Sequence, residues 1–522
     1  MNPNVLTLAA LMLVPLPALP AADTPKPSKP NVIVIYTDDH GYADLGCQGI
    51  MKDVKTPNID SLAASGVRMT AGYVTAPQCS PSRCGLISGQ YQNKFGMEDN
   101  KSWDKDSGLK DRFFALPNLP KRMKNAGYVT GMAGKSHLGS DDSAELVKLG
   151  FDKAFFKHSN GPGHWNMDLT GKDIPPQEQK SREYHLETIT SFACAFIERF
   201  KAKPFFFYMA YRAPHVPLDA TQKYLDRFPG KMPESRRQAL AMISAVDDGV
   251  GRVMETLRNN KLEENTLVFV ISDNGAPIGL TTPHMRATGS PDWPGSLNDP
   301  LNGGKGMLIE GGIRTPCVVQ WKGTIPGGQV YSNAVITLDV AATANAVAGL
   351  PDDPVLDGVN LIPFLTGKKT GQPHEVLYWR WREQAAVRKG DWKYLTCGDR
   401  GYLFDLASDP EEKRNRLAEH PELGRELRTQ LEQWSRTLMP PGLSSSEGSA
   451  KRYYDFYLDG KRDEEPLSTA PSSNASKPIS RRAKAKAAAV IHANHNRIIG
   501  RLGGTLFCSN ERDSRETAQG EQ

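Results

Sequence analysis

No CxxC pair and no cysteine spacing of the zinc-binding kind occurs in this 522-residue chain; its seven cysteines, at 47, 79, 84, 194, 317, 397 and 508, are scattered. Neither a disulfide framework nor a structural zinc site is implied, and most of them read as small buried hydrophobes. Strong charge is also missing. A formal net charge of +5, from 64 basic and 59 acidic residues, does not point to a nucleic-acid binder, although a mildly basic surface suits polyanionic substrates. Beyond the first 22 residues no run approaches the ~20 apolar residues of a membrane span. No internal repeat is evident.

What is present begins with an apolar leader. Met1 to Ala22 has a candidate hydrophobic region from Leu6 to Leu19 and a small-residue exit at Ala18 to Ala22. This reads as a secretory signal peptide and sends the chain to the periplasm or the outside, although no Lys or Arg precedes it and prolines 15, 17 and 20 interrupt it. The length exceeds what one hydrophobic core usually organises, so a large domain with a smaller companion is expected.

After the Pro-rich stretch Pro25 to Pro30 comes Asn31-Val32-Ile33-Val34-Ile35-Tyr36-Thr37, a β-branched run suited to a strand buried on both faces. It ends in Asp38-Asp39. In open α/β sheets ligands bind beyond the carboxyl ends of strands, so the pair is placed for function, though it could equally cap the next turn. Three further runs end the same way: Gly127 to Ala133 leads to Lys135 and His137, Pro204 to Ala210 to His215, and Thr266 to Ser272 to Asp273-Asn274. If the chain stays extended, Lys135 and His137 project to one side. Asp38, Asp39, Asp273 and Asn274 form an all-oxygen set of the kind a hard cation takes. Lys305 lies among glycines in Asn302-Gly303-Gly304-Lys305-Gly306, which allow close approach to a ligand.

The remaining stretch is Cys79-Ser80-Pro81-Ser82-Arg83, followed by Cys84-Gly85-Leu86-Ile87-Ser88-Gly89. Pro81 suits the first turn of a helix with Ser80 as N-cap, which puts Cys79 beside the positive end of the helix dipole. A lowered thiol pKa is expected there, and Arg83 supplies a cation able to grip an oxyanion in a fork.

Cys-x-Pro-Ser-Arg with a downstream Leu-x-x-Gly resembles the signature of the type I sulfatases, and the other motifs resemble that family's in the expected chain order over about residues 30 to 440. The resemblance implies an alkaline phosphatase-like α/β fold, a large mostly parallel sheet sandwiched by helices. It further implies that Cys79 is oxidised to formylglycine by a maturing enzyme, and that Asp38, Asp39, Asp273 and Asn274 bind one Ca²⁺. By the same resemblance Arg83 positions the formylglycine, Lys135 and Lys305 contact sulfate, His215 protonates the leaving alcohol, and His137 helps break down the sulfated intermediate. The implied activity is hydrolysis of a sulfated carbohydrate or aryl sulfate. A formylglycine-dependent phosphonate or phosphate-ester hydrolase, or an inactive glycan-binding relative, are the alternatives. Asn274 stands where the former tends to carry histidine, and no reactive residue is missing as the latter would require.

The catalytic domain is expected over 30–370, a small antiparallel sheet and helix over 371–440, and an extension over 441–522 that reads as disordered after about 465. Val376 to Trp381, Ala385 to Arg388 and Trp392 to Leu395 read as strands, with Trp379 and Trp381 either packing on the large domain or forming a sugar-binding face. Glu411 to Leu438 reads as a helix broken near Pro421. His158, His164, Trp165, His284, Arg286 and Trp293 are candidates for contacting a sugar ring.

Overall fold

The computed structural model describes residues 29–105, 108–139, 142–157, 162–179, 183–278, 295–440, 454–455 and 457–459. The leader, His158, the stretch holding His284, Arg286 and Trp293, and the basic tail lie outside them. In chain order the main elements are β1 (Asn31–Asp38), α1 (Pro57–Ala64), β2 (Val67–Met69), α2 (Cys79–Ser88), β3 (Val129–Gly134), β4 (Lys153–Phe156), β5 (Gly163–Met167) and β6 (Asp173–Gln179). There follow α3 (His185–Phe200), β7 (Phe205–Pro214), α4 (Glu234–Asn259), β8 (Thr266–Ser272), β9 (Cys317–Gln320), β10 (Gln329–Tyr331) and α5 (Leu338–Val347).

Ten strands make one sheet in the order β10-β2-β9-β8-β1-β7-β3-β4-β5-β6. Its centre, β8-β1-β7-β3-β4, is parallel. All eight residues of β1 are buried, and their alternation splits the core into two layers. Val32, Val34 and Tyr36 face a layer containing Leu86 and Ile87 of α2 and Val340 of α5. Ile33 and Ile35 face Phe192 and Phe196 of α3 and Leu240 and Val250 of α4. Each such side chain contributes about 1.5–3 kcal/mol on full burial, so the centre of the sheet is held stiffly from both faces.

A second sheet follows, antiparallel throughout: β11 (Val376–Trp381), β12 (Gln384–Lys389), β13 (Trp392–Cys397) and β14 (Arg400–Asp405). Leu377, Trp379 and Trp381 pack in one cluster with Tyr73, Met307, Ile309 and Ile313 of the large domain, and Trp379 Nε1 donates to Val74 O at 2.7 Å. The tryptophans are thus an anchoring face and not a sugar platform. Helix α6 (Pro421–Ser435) covers the opposite face through Leu427 and Leu431, against Val387, Tyr394 and Leu403. The expected helix from Glu411 begins only at Pro421, which occupies the first helical turn. There the missing N–H costs nothing. Six described cysteines are all free, and no described helix is long and apolar enough to cross a membrane.

Candidate active site

Four adjacent strands of the sheet, in the order β8-β1-β7-β3, end on the residues with candidate chemistry. β1 ends at Asp38, and Asp39 follows in a left-handed conformation (φ 61°). β8 delivers Asp273 and Asn274, β7 delivers His215, and β3 delivers Lys135. Gly134 closes β3 at φ 105°, and a Cβ there would stand 2.0 Å from Ala210 O; only glycine lets the chain leave the sheet at that point. His137 is not in the extended conformation expected, since it too is left-handed (φ 51°), yet its ring still lies in the electrostatic field of Lys135, Arg83 and Asp38.

Helix α2 starts at Cys79 itself, with extended Gln78 as N-cap, two residues earlier than the motif suggests. Ser80 is consequently free of capping. Its Oγ donates to His137 O at 2.7 Å and accepts from Trp103 Nε1 at 2.6 Å, tying the start of α2 to the His137 loop. Arg83 is wholly buried and directs its fork to a carboxyl of the chain itself. Its Nε and Nη2 both reach Asp273 Oδ2, at 2.9 and 2.7 Å, and Nη1 donates to Lys135 O at 3.0 Å.

The charged groups interlock. Lys135 Nζ bonds Asp38 Oδ2. Lys305 Nζ lies 2.6 Å from Asp39 Oδ1 and 3.2 Å from Cys79 Sγ. Cys79 Sγ is 3.4 Å from Asp38 Oδ1, and His215 Nε2 is 3.7 Å from Asp39 Oδ2. Asn274 Nδ2 donates to Asp39 Oδ1 at 2.7 Å, while its Oδ1 is buried with no hydrogen-bond partner among the described residues.

Burial opposes the charge on Asp38, but Lys135, His215, Arg83 and Lys305 together hold its carboxyl well below the usual range. Asp273 is pushed the other way, to about 7, by burial and by Asp38, against Arg83. Burial and Asp38 also raise the Cys79 thiol above its ordinary value despite two lysines, so the expected lowering is reversed: a helix N-terminus cannot offset complete desolvation beside a carboxylate. Burial, with Lys135 and Lys305, lowers His215 to about 3. Three carboxylates converge here and one is driven toward protonation, which a divalent cation would relieve. The unpartnered amide oxygen of Asn274, beside Asp38, Asp39 and Asp273, fits a hard cation that takes oxygen ligands.

Sequence reading missed the residues that hold these loops in register. Asn298 is buried; its Oδ1 accepts from Ala276 N at 2.8 Å, and its Nδ2 donates to Ala276 O at 2.9 Å and Gly303 O at 3.0 Å. Since Lys305 N also bonds Ala276 O at 3.1 Å, this one amide fixes Lys305 relative to Asn274. Asn100 Oδ1 likewise accepts from Ser80 N at 3.1 Å. No motif marks either. Two of the sugar-contact candidates are otherwise engaged: Trp165 is buried in β5 against Phe155, with ring centroids 4.4 Å apart, and His164 Nδ1 is bonded to Ser143.

A parallel α/β sheet whose strand ends gather paired carboxylates, two lysines and a helix-borne reactive position defines a hydrolase of the alkaline phosphatase superfamily. The comparisons sharpen this. The sulfatase family profile matches residues 30–350, and the profile of the N-sulphoglucosamine sulphohydrolase C-terminal region matches 304–437. The chain belongs to the sulfatase family. It is 31% identical over 411 residues to N-acetylgalactosamine-6-sulfatase of Canis lupus familiaris, covering 73% of this chain and 74% of that one. Among solved structures, Ps i-CgsB in complex with k-i-k-neocarrahexaose is 30% identical with a TM-score of 0.68, covering 82% of this chain and 97% of that one. A phosphonate monoester hydrolase of Agrobacterium radiobacter shares the fold at 21% identity and a TM-score of 0.56. The protein is a sulfatase, hydrolysing sulfate esters.

Proposed function

We propose that the protein removes sulfate from a sulfated carbohydrate, as an exported enzyme, using Ca²⁺ and a formylglycine made from Cys79. The observation that carries this reading is the buried cluster of Asp38, Asp39, Asp273 and Asn274 against Cys79, with Asn274 Oδ1 left unpartnered. The similarity to N-acetylgalactosamine-6-sulfatase and to a protein solved with k-i-k-neocarrahexaose supports the substrate class.

When present, Ca²⁺ would supply Lewis acidity and the formylglycine a hydroxyl nucleophile. The chain's own side chains do the rest. Asp38, Asp39, Asp273 and Asn274 would hold the cation. Arg83, through its double contact to Asp273 Oδ2, keeps that carboxylate oriented and packs the base of α2. Lys135 and Lys305 exchange their carboxylate contacts for sulfate oxygens and offset charge developing there. His215 faces the pocket through Nε2, because Nδ1 lies 2.5 Å from Val216 O. Burial, with Lys135 and Lys305, outweighs Asp38 and Asp39 and keeps its ring neutral; arrival of the sulfate adds a negative charge that favours protonation, after which Nε2 donates to the departing alcohol. His137, whose buried Nδ1 has no described partner, is the base for breakdown.

The reading is tested by assaying sulfate release from a panel of sulfated monosaccharides and an aryl sulfate, with added Ca²⁺ and with a chelator, alongside an aryl phosphonate. Chelator-sensitive release from at least one sulfated sugar is expected. Turnover of the phosphonate alone would overturn it.

A further inference from the structure

Four donor atoms make a second set, which shares Asp38 and Asp39 with the oxygen set assigned to Ca²⁺ but replaces Asp273 and Asn274 by Cys79 and His215. Asp38, Asp39, Cys79 and His215 each place one ligand atom within 4.8 Å of all the others. A tetrahedral zinc site with ordinary bond lengths needs S···O separations of about 3.6 Å and N···O separations of about 3.4 Å. Here Cys79 Sγ and Asp38 Oδ1 are 3.4 Å apart, and His215 Nε2 and Asp39 Oδ2 are 3.7 Å apart.

The outer contacts leave Asp38 Oδ1 and Asp39 Oδ2 for a metal, with Lys305 Nζ also 3.2 Å from Cys79 Sγ. Lys135 takes the other oxygen of Asp38, and Lys305 and Asn274 Nδ2 take the other oxygen of Asp39. His215 Nδ1 donates to Val216 O at 2.5 Å, so the Nε2 lone pair points inward, the orientation a metal-bound imidazole is usually given by an outer acceptor. A thiolate and an imidazole suit Zn²⁺ and not Ca²⁺, which prefers six to eight oxygens.

We propose that the chain with Cys79 still a thiol carries a tetrahedral Zn²⁺ site, Cys79 Sγ, His215 Nε2, Asp38 Oδ1 and Asp39 Oδ2, which conversion of Cys79 dismantles. It rests on the reading that Cys79 is the position converted. As the Zn–S bond forms, Cys79 gives its proton to solvent. Because both donor sets use Asp38 and Asp39, zinc and calcium exclude one another, and loss of the sulfur leaves only the oxygen set. The unconverted chain is therefore a zinc protein, and zinc covers the thiol that has to be modified.

The test uses the full chain made without a formylglycine-generating enzyme, with the Cys79 thiol verified by peptide mass and Co²⁺ as a spectroscopic probe for the zinc site. One Co²⁺ per chain is expected, with a near-ultraviolet thiolate-to-cobalt band and tetrahedral visible bands. Stoichiometric Zn²⁺ should abolish the bands, and a hundredfold excess of Ca²⁺ should not. Cys79→Ser should lose the near-ultraviolet band. His215→Ala should weaken Co²⁺ binding by more than the roughly 10–100-fold that loss of an outer-shell partner costs. Fully converted protein should show no thiolate band. Absence of that band in the thiol form, its persistence in Cys79→Ser, or displacement by equimolar Ca²⁺ would overturn the zinc site. Sulfate release by converted protein is scored separately: an active converted enzyme whose thiol form shows no cobalt–thiolate band counts against the zinc site alone, and an inactive converted enzyme counts against the hydrolase reading.

Discussion

Glu412 offers a sharp test of how the small sheet is fastened to the catalytic domain. Lys393 of β13 reaches Glu310 Oε1 and Glu412 Oε1, each at 2.9 Å, with all three side chains shielded from solvent. Glu412 Oε2 also accepts from Glu310 N at 2.5 Å, just beyond the Lys305 loop. Burial works against ionisation of Glu310, but Lys393, Arg314 and Arg388 hold its carboxyl at about 2. Glu412 is left to share a cation already spent, and burial with Glu310 pushes it from 4.5 to about 7. The folded state therefore keeps a proton that the unfolded chain gives up. This stabilisation is complete below pH 4.5 and is lost as the pH rises through about 7. At about 1.4 kcal/mol per pH unit, that is about 3 kcal/mol. Glu412→Gln keeps an acceptor for Glu310 N and removes the titration. In urea unfolding at pH 4.5, 6 and 8, the variant should gain about 3 kcal/mol on the parent between the two extremes. Parallel pH profiles, or a gain in the opposite direction, would refute the assignment.

Two further substitutions probe the scaffold. Trp379→Ala removes a fully buried ring that packs 5.4 Å from Tyr73 and bonds Val74 O; a loss of about 3–5 kcal/mol is expected by chemical denaturation. Gly275→Ala would put a Cβ 1.8 Å from Gly311 O, forcing the Asn274 strand end away from the segment that follows Lys305. A fall of about 10²-fold or more in kcat/KM, with the protein still folded by circular dichroism, is the expected result, since displacements near 1 Å cost that much.

The parallel core was legible in the sequence because its strands are continuous β-branched or aromatic runs, and because each ends abruptly in Asp-Asp, His or Asp-Asn. What stayed hidden depended on tertiary contacts. Strand β6 contains Pro175 and Pro176, which argue against a strand unless it lies at a sheet edge, where β6 does lie. Ser80 looked like a cap because the local pattern is one, but its hydroxyl is claimed by His137 O and Trp103, residues distant in sequence. Cys79 sits on the expected helix but its thiol is shifted up and not down, since a sequence does not reveal complete burial against Asp38. Asn298 and Asn100 act through backbone groups of other loops, which leaves no trace in local spacing.

The most direct measurement pairs the mass of the peptide across Cys79 with sulfate release from the same preparations, made with and without a formylglycine-generating enzyme. Sulfate release proportional to the fraction converted, and abolished by chelation of Ca²⁺, is the predicted result. Equal release from fully unconverted protein would contradict the account.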